Sequence, residues 1–130
     1  MKKTKTMAKK KKMVKAVSHG HIYIHSTFNN TIITLTDQSG NTLTWTSAGS
    51  VGFKGAKKST PYAAQVAMRM ILEKAKAFSL QSVDVYVCGV GQGREQAVRS
   101  LSNSELKVTS IKDITPVPHN GCRPRKVRRV

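Results

Sequence analysis

Two glycine-containing segments hold the residues with the clearest potential for anion chemistry. The first is Gly89-Val90-Gly91-Gln92-Gly93, followed by Arg94 and, within a short helical pattern, Arg99. Glycines before a helix let backbone N–H groups approach a phosphate, and the helix N-terminus favours its negative charge. The segment is no dinucleotide-binding fingerprint, because Arg94 stands where that motif needs a glycine. We expect phosphate contact here; the alternative is a flexible strand-to-helix turn.

The second segment, residues 47–58, combines three glycines with Lys54, Lys57 and Lys58. It leads into Thr60-Pro61, a typical N-cap and first helical position. Cations at a helix N-terminus oppose the helix dipole, so an external anion would explain their placement. The segment is no P-loop, because Lys57 stands where the motif's second glycine belongs. The alternative is a mobile surface loop.

The last fifteen residues, 116–130, form an extended basic pattern. Three prolines stiffen the chain, and arginines at short intervals can fork onto successive phosphates. Asn120-Gly121 is also chemically labile, because glycine places no side chain over the amide nitrogen that attacks the Asn carboxamide. We therefore predict that Asn120 deamidates or isomerises to isoaspartate.

Metal or hydrolytic chemistry has weaker sequence support. No cysteine pair at ligand spacing accompanies His19, His21 and His25, and His119 with Cys122 makes only half a site. The acids are scattered singly, whereas a two-metal nuclease needs several converging carboxylates. The sequence therefore predicts no metal, no cofactor, no small-molecule substrate and no catalytic residue.

The charge distribution indicates a polyanionic partner. The 130 residues carry 23 Lys and Arg against 6 Asp and Glu, a net charge of +17. Residues 1–15 hold eight lysines and residues 119–130 hold five cations, and neither stretch holds an acid. We expect a disordered basic tail over 1–16, a core over 17–115 and an extended basic tail over 116–130. The alternative is that these tails are merely solvated.

Other protein classes are disfavoured by composition. Two cysteines cannot form a disulfide scaffold, and neither a signal peptide nor an apolar stretch of about 20 residues is apparent. We expect an intracellular protein with no membrane association. Aromatic residues make up 5%, which argues against a surface that stacks many bases.

Hydrophobic periodicity predicts one α/β domain. Period-two alternation indicates strands over 22–28, 31–37, 42–47, 83–88 and 107–114. Helical spacing indicates helices from Pro61 to about Phe78 and from Arg94 to about Leu101. The first three strands form an antiparallel meander, and the later strands, joined by helical crossovers, are parallel neighbours. The order βββαβαβ predicts a mixed five-stranded sheet with two helices.

Side-chain patterns also predict which residues face the core. The strand alternation places Ile22, Ile24 and Phe28 on one face of the sheet, and Leu43 and Trp45 on one face of the third strand. For the first helix, the predicted buried stripe is Ala63, Val66, Ala67, Met70, Ile71 and Ala75.

Four segments resemble the bacterial-type small-subunit ribosomal protein eleven family. They are FNNTIITLTD (28–37), SAGSVGFKGAKKSTPYAAQVA (47–67), GVGQGREQAVRSL (89–101) and DITPVPHNGCRPRKVRRV (113–130). The resemblance covers residues 17–130 without a gap, and HNGCRP and KKSTPYAAQ are highly specific to the family. Val90 stands where the family usually has proline.

The resemblance implies a ribonuclease-H-like fold without catalysis, and a place on the small-subunit platform near the messenger exit. It implies small-subunit ribosomal RNA as partner, small-subunit proteins seven, eighteen, six and twenty-one as neighbours, and messenger RNA nearby. The location would be a bacterial cytoplasmic ribosome, or that of a plastid or mitochondrion. The implied RNA-contacting residues are Asn29, Asn30, Lys54, Lys57, Lys58, Ser59, Arg94, His119, Asn120, Arg123, Arg125, Lys126, Arg128 and Arg129.

Three other functions fit parts of the sequence. A DNA-binding architectural protein would share the charge, but no recognition-helix pattern is apparent. A nuclease of ribonuclease-H type would need the carboxylate cluster that the sequence lacks. A membrane-surface protein would need an apolar anchoring face on one of its tails.

Overall fold

The computed structural model describes residues 15–130, so the predicted N-terminal tail lies, over residues 1–14, outside the described part. The strands are β1 (His19–Ser26), β2 (Thr31–Asp37), β3 (Thr42–Ser47), β4 (Ser82–Cys88) and β5 (Lys107–Asp113). The helices are α1 (Pro61–Lys76) and α2 (Gly93–Ser102). The predicted order βββαβαβ is confirmed.

The strands form one mixed sheet in the order β3-β2-β1-β4-β5. The β1–β2 and β2–β3 pairs are antiparallel, whereas β4 is parallel to both β1 and β5. Both the antiparallel meander and the parallel later strands are therefore confirmed. Since β1, β4 and β5 run in one direction, their carboxyl ends meet along one edge, which we call the carboxyl edge.

Both helices contribute to a core on one face of the sheet. Ile22, Ile24, Ile33 and Leu35 from the meander are fully buried there, as are Val83 and Val85 from β4. Their helical partners in the core are Ala64, Ala67, Met68, Ile71, Ala97 and Leu101. Burying a Val, Leu or Ile side chain fully contributes about 1.5–3 kcal/mol to folding. This packing fixes where each strand end lies.

Three predicted core positions are wrong. Phe28 is 74% exposed, because β1 ends at Ser26 and the chain turns away from the sheet. Trp45 is 56% exposed, because its neighbour Thr46 pairs with core-facing Ile33 and alternation puts Trp45 on the uncovered face.

The third error concerns α1, whose buried stripe is rotated relative to the prediction. Met68 is buried and Met70 is 38% exposed. The buried stripe is rotated because α1 packs against α2 as well as against the sheet. The Ala64–Met68 side of α1 is therefore covered, and the Val66–Met70 side is left less buried.

The start of α1 follows the predicted capping. Thr60 Oγ1 accepts a hydrogen bond of 3.3 Å from the Ala63 N–H, and Pro61 occupies the first turn. The preceding segment differs from a plain loop, because it contains a short 3-10 helix, Gly55–Ser59. No helix within residues 15–130 is both long enough and apolar enough to cross a membrane.

Candidate nucleic-acid interface

The carboxyl edge brings together segments that are far apart in sequence. The β1–β2 turn, the end of β3 with its following loop, the turn after β4 and the end of β5 all lie there. The Ala48 N–H donates a hydrogen bond of 3.0 Å to the Thr31 carbonyl, which ties the loop after β3 to the start of β2. This convergence follows from strand direction, as at the ligand sites of other open α/β sheets.

The β1–β2 turn presents the two predicted asparagines. The Thr27 N–H donates to the Asn30 carbonyl at 2.8 Å, which closes the turn. Asn30 Oδ1 accepts from the Thr31 N–H at 2.9 Å, so this side chain is used within the turn. Asn29 is exposed at the tip, where its amide can reach a partner.

The glycine turn after β4 lies directly against this first turn. The Gly91 N–H donates a hydrogen bond of 3.1 Å to the Ser26 carbonyl, at the end of β1. Gly89 has a φ of 98°, and a Cβ added there would collide with the same Ser26 carbonyl. Only glycine permits this approach, so the turn and the Asn29–Asn30 tip form one continuous surface.

Arg94 holds the glycine turn to the end of β5. Its Nη1 donates to the Gly89 carbonyl at 2.8 Å, and its Nη2 donates to Asp113 Oδ2 at 2.6 Å. Hydrogen bonds from Thr115, and then the Arg94 guanidinium, hold the pKa of Asp113 well below its usual range. Asp113 is therefore a carboxylate at neutral pH, and much of the Arg94 side chain is used inside the protein.

The C-terminal segment leaves the fold at this edge. The Gly89 N–H donates to Thr115 Oγ1 at 3.1 Å, and the Ile114 N–H donates to the Val87 carbonyl at 2.8 Å. Residues 116–130 contain no helix or strand and are exposed throughout. The predicted contact residues in this segment are His119, Asn120, Arg123, Arg125, Lys126, Arg128 and Arg129.

The predicted lysine cluster lies on the loop between β3 and α1. Lys54 precedes the 3-10 helix, and Lys57 and Lys58 lie in its last turn. Lys54 and Lys57 are exposed, Lys58 and Ser59 are half-buried, and Ser59 Oγ donates to the Ala56 carbonyl at 3.0 Å. Within residues 15–130, none of the three lysines forms an ion pair. Their charge is therefore left for an external anion.

The N-termini of the two helices add to the positive potential. A Cβ at Gly93 would lie 2.8 Å from the Ala64 Cβ, so the first turn of α2 packs closely on the first turn of α1. Aligned peptide dipoles make both ends partly positive. Arg99, farther along α2, is 75% exposed and its Nη2 lies 4.0 Å from Glu95, a surface pair of little energetic value.

The arrangement suits anion binding, and the part of the chain that the structure describes lacks the geometry of a two-metal nuclease. Asp37 ends β2 and Asp84 lies near the start of β4, both toward the edge opposite the carboxyl edge. Asp113 is already paired with Arg94. The carboxylates therefore do not converge beside the cationic loops.

Two groups of polar or aromatic residues were not foreseen. On the uncovered sheet face, His19 and His21 meet Asp84, and Tyr23 stacks on Tyr86 with ring centroids 5.1 Å apart. These contacts depend on the parallel pairing of β1 with β4, which sequence periodicity does not specify. The only signal was the period-two spacing of the histidines on a predicted strand.

Comparison with known proteins identifies the family. The family model of ribosomal protein S11 matches residues 20–129. The chain belongs to the ribosomal protein S11 family. The predicted resemblance is thereby confirmed. So is the expectation that the chain is not an enzyme, because this family is structural and non-enzymatic.

Two bacterial relatives illustrate the similarity. A protein of Treponema pallidum named small ribosomal subunit protein uS11 is 56% identical over 124 residues, covering 95% of this chain and 98% of the relative. A protein of the same name from Borreliella burgdorferi is 54% identical over 121 residues, covering 93% of each chain. The family match over residues 20–129 includes all five strands from the second residue of β1 onward, both helices and the basic C-terminal segment up to Arg129.

Proposed function

We propose that this protein is a structural constituent of the small ribosomal subunit that binds ribosomal RNA through its carboxyl edge and C-terminal tail. One observation carries the proposal. The lysine loop, the glycine turn and the root of the basic tail, distant in sequence, meet at one edge of the sheet, and the three loop lysines have no ion-pair partner among the described residues. Folded RNA supplies the dense negative charge that such a surface needs.

The parts of the interface have different roles. Lys54, Lys57 and Lys58 bind phosphates together with the helix N-termini, and Ser59 and the Asn29–Asn30 tip supply polar contacts. Arg99 contributes a further exposed charge. Arg94 mainly positions the glycine turn, because two of its nitrogens already donate to protein oxygens.

We expect the C-terminal tail to become ordered when it binds RNA. Residues 116–130 make up a basic segment whose extended backbone lets arginines reach successive phosphates as it threads between RNA helices. The predicted basic tail over residues 1–16 lies, over residues 1–14, outside the described part of the chain, and its lysines would add to the charge available to RNA. The C-terminal segment has a high positive charge and little apolar area, so it orders only when phosphates neutralise it.

Family membership supports the proposed location of the protein. The relatives are bacterial proteins named as small ribosomal subunit proteins, which favours a bacterial cytoplasmic ribosome over that of a plastid or mitochondrion. The platform is the proposed location, with small-subunit proteins seven, eighteen, six and twenty-one as neighbours and messenger RNA nearby.

Competition binding tests the proposal against its main alternative. The full chain is titrated into labelled small-subunit ribosomal RNA, with duplex DNA as competitor. We expect RNA to be bound more tightly than DNA. Preference for duplex DNA would support the architectural DNA-binding alternative, and Mg²⁺-dependent cleavage of the RNA would support a nuclease; either result overturns the proposal.

Matched lysine variants locate the interface. Lys57→Ala removes a cation from the carboxyl edge, whereas Lys76→Ala removes one from the last turn of α1, at the other end of the helix. We expect Lys57→Ala to weaken RNA binding and to reduce the slope of log affinity against log salt by about 1, with little change for Lys76→Ala. If both variants weakened RNA binding equally, the lysines would act through the net charge of the protein and not through a binding surface at the carboxyl edge.

A further inference from the structure

Two histidines and a carboxylate converge on the uncovered face of the sheet, away from the carboxyl edge. His19 Nε2 lies 3.0 Å from Asp84 Oδ2, and His21 Nδ1 lies 3.6 Å from the same oxygen. One ligand atom from each residue lies within 4.8 Å of the other two. The cause is the register, in which His21 is directly opposite Asp84 and His19 lies two residues earlier on the same face of β1.

Two of the three residues, His19 and Asp84, have the outer hydrogen bonds that usually support metal ligands. His19 Nδ1 lies 2.7 Å from Ser82 Oγ, and Ser110 Oγ donates to Asp84 Oδ1 at 2.9 Å. Metal-ligating histidines usually donate their second ring N–H to such a partner, and ligating carboxylates are likewise hydrogen-bonded. In the tautomer that carries its proton on Nδ1, His19 donates to Ser82 and leaves the Nε2 lone pair facing Asp84, where it can bind a cation.

His21 supplies the observation that a simple ion pair leaves unexplained. Its Nδ1 is buried and has no hydrogen-bond partner among the described residues, although it lies beside the Asp84 carboxylate. The ring is held edge-on by neighbouring rings, with centroids at 5.5 Å for Tyr86 and 5.8 Å for His19. Buried polar atoms almost always have a partner, so a fixed and unpaired nitrogen indicates a missing one.

We propose that His19 Nε2, His21 Nδ1 and Asp84 Oδ2 bind one Zn²⁺ ion. Zinc bonds of about 2.0–2.1 Å place tetrahedral ligand atoms about 3.3 Å apart, and the two separations from Asp84 Oδ2 bracket that value. Imidazole and carboxylate donors suit zinc, whereas Mg²⁺ prefers oxygen ligands in an octahedron. Three protein ligands leave one tetrahedral position, which a water molecule would complete.

The ion would cross-link neighbouring strands in the middle of the sheet. His19 and His21 belong to β1, Asp84 belongs to β4, and Ser110 extends the connection to β5. Binding that requires this register stabilises the folded state over the unfolded chain. The role is structural and is independent of RNA binding at the carboxyl edge.

The proposal is tested by titrating the metal-free full chain with Zn²⁺. We expect saturable one-to-one binding, a higher midpoint of thermal unfolding with Zn²⁺ than with Mg²⁺, and the visible absorption of tetrahedral Co²⁺ when cobalt replaces zinc. His21→Ala and Asp84→Asn should each weaken binding by about tenfold or more. Asp84→Asn is nearly isosteric, so it disturbs the fold less than His21→Ala.

Two control variants address other possible ligands. His25→Ala removes a histidine from the same strand and the same face, and Cys122→Ser removes the exposed thiol near His119. Both should bind Zn²⁺ as the parent chain does. The proposal is overturned if the parent shows no saturable binding, if folded Asp84→Asn, as judged by circular dichroism, binds equally well, or if either control loses the ion.

Discussion

Arg94 and Asp113 join the glycine turn to the root of the basic tail through a hydrogen bond of 2.6 Å between Nη2 and Oδ2. The second arm of the Arg94 guanidinium holds the Gly89 carbonyl. Thr115 donates to the other Asp113 oxygen from its hydroxyl and its N–H, at 2.6 and 3.0 Å. The position of the tail is therefore coupled to the turn that approaches β1, so one carboxylate organises two parts of the proposed RNA interface.

Asp113→Asn tests whether this pairing positions the interface. The substitution removes a negative charge from an RNA-binding edge, so simple electrostatics predicts tighter binding. Loss of the ion pair should instead loosen the turn and the tail root and weaken RNA affinity by about tenfold, as Arg94→Gln should also do. RNA affinities measured by fluorescence anisotropy distinguish weaker binding by Asp113→Asn from tighter binding. Tighter binding by Asp113→Asn would show that Arg94 acts as a direct phosphate contact.

The same carboxylate predicts a pH dependence. Thr115 and Arg94 hold the pKa of Asp113 well below its usual range, so the stabilisation is fully present above the unfolded value of about 3.9. It is lost only as the pH falls through the lower folded pKa. We expect the Thr115 amide resonance to be unchanged between pH 8 and about pH 4. A titration of that resonance with a midpoint near 4 would mean that the pairing does not form.

Gly89→Ala should destabilise the fold more than Gly52→Ala. Both glycines have left-handed φ values, 98° and 103°, so both substitutions incur backbone strain of about 1–2 kcal/mol. A Cβ at 52 meets open space, whereas one at 89 runs into the Ser26 backbone, which adds about 1–3 kcal/mol. Urea unfolding of the two variants measures the difference. Equal free energies of unfolding would show that the glycine turn does not pack against β1.

Asn120 should convert to aspartate or isoaspartate on ageing. It is exposed, has a left-handed φ of 57° and precedes Gly121, whose lack of a side chain leaves the attacking nitrogen open. Peptide mass spectrometry with a fragmentation method that separates the isomers would follow the change, and Gly121→Ala should slow it severalfold. Only asparagine at position 120 after prolonged incubation would rule the reaction out.

Local sequence patterns are sufficient to predict the strands and helices. The alternation in β1 and β4 and the Thr60–Pro61 cap depend only on residues that are close in sequence. The predictions for Met70 and Trp45 are wrong because burial depends on which partner covers each face. That partner is set by the packing of α2 for Met70 and by the β2–β3 register for Trp45. The individual cationic segments were visible in the sequence. Their convergence was not, because it requires β4 to lie beside β1.

The salt dependence of RNA binding tests the central claim most directly. If about ten cations each neutralise a phosphate, log affinity should fall against log salt with a slope of roughly −7 to −9. Replacing Arg123, Arg125, Arg128 and Arg129 with alanine should make the slope shallower by about 3 and leave the far-ultraviolet circular dichroism of the core unchanged. A parent slope shallower than about −3 would contradict the account.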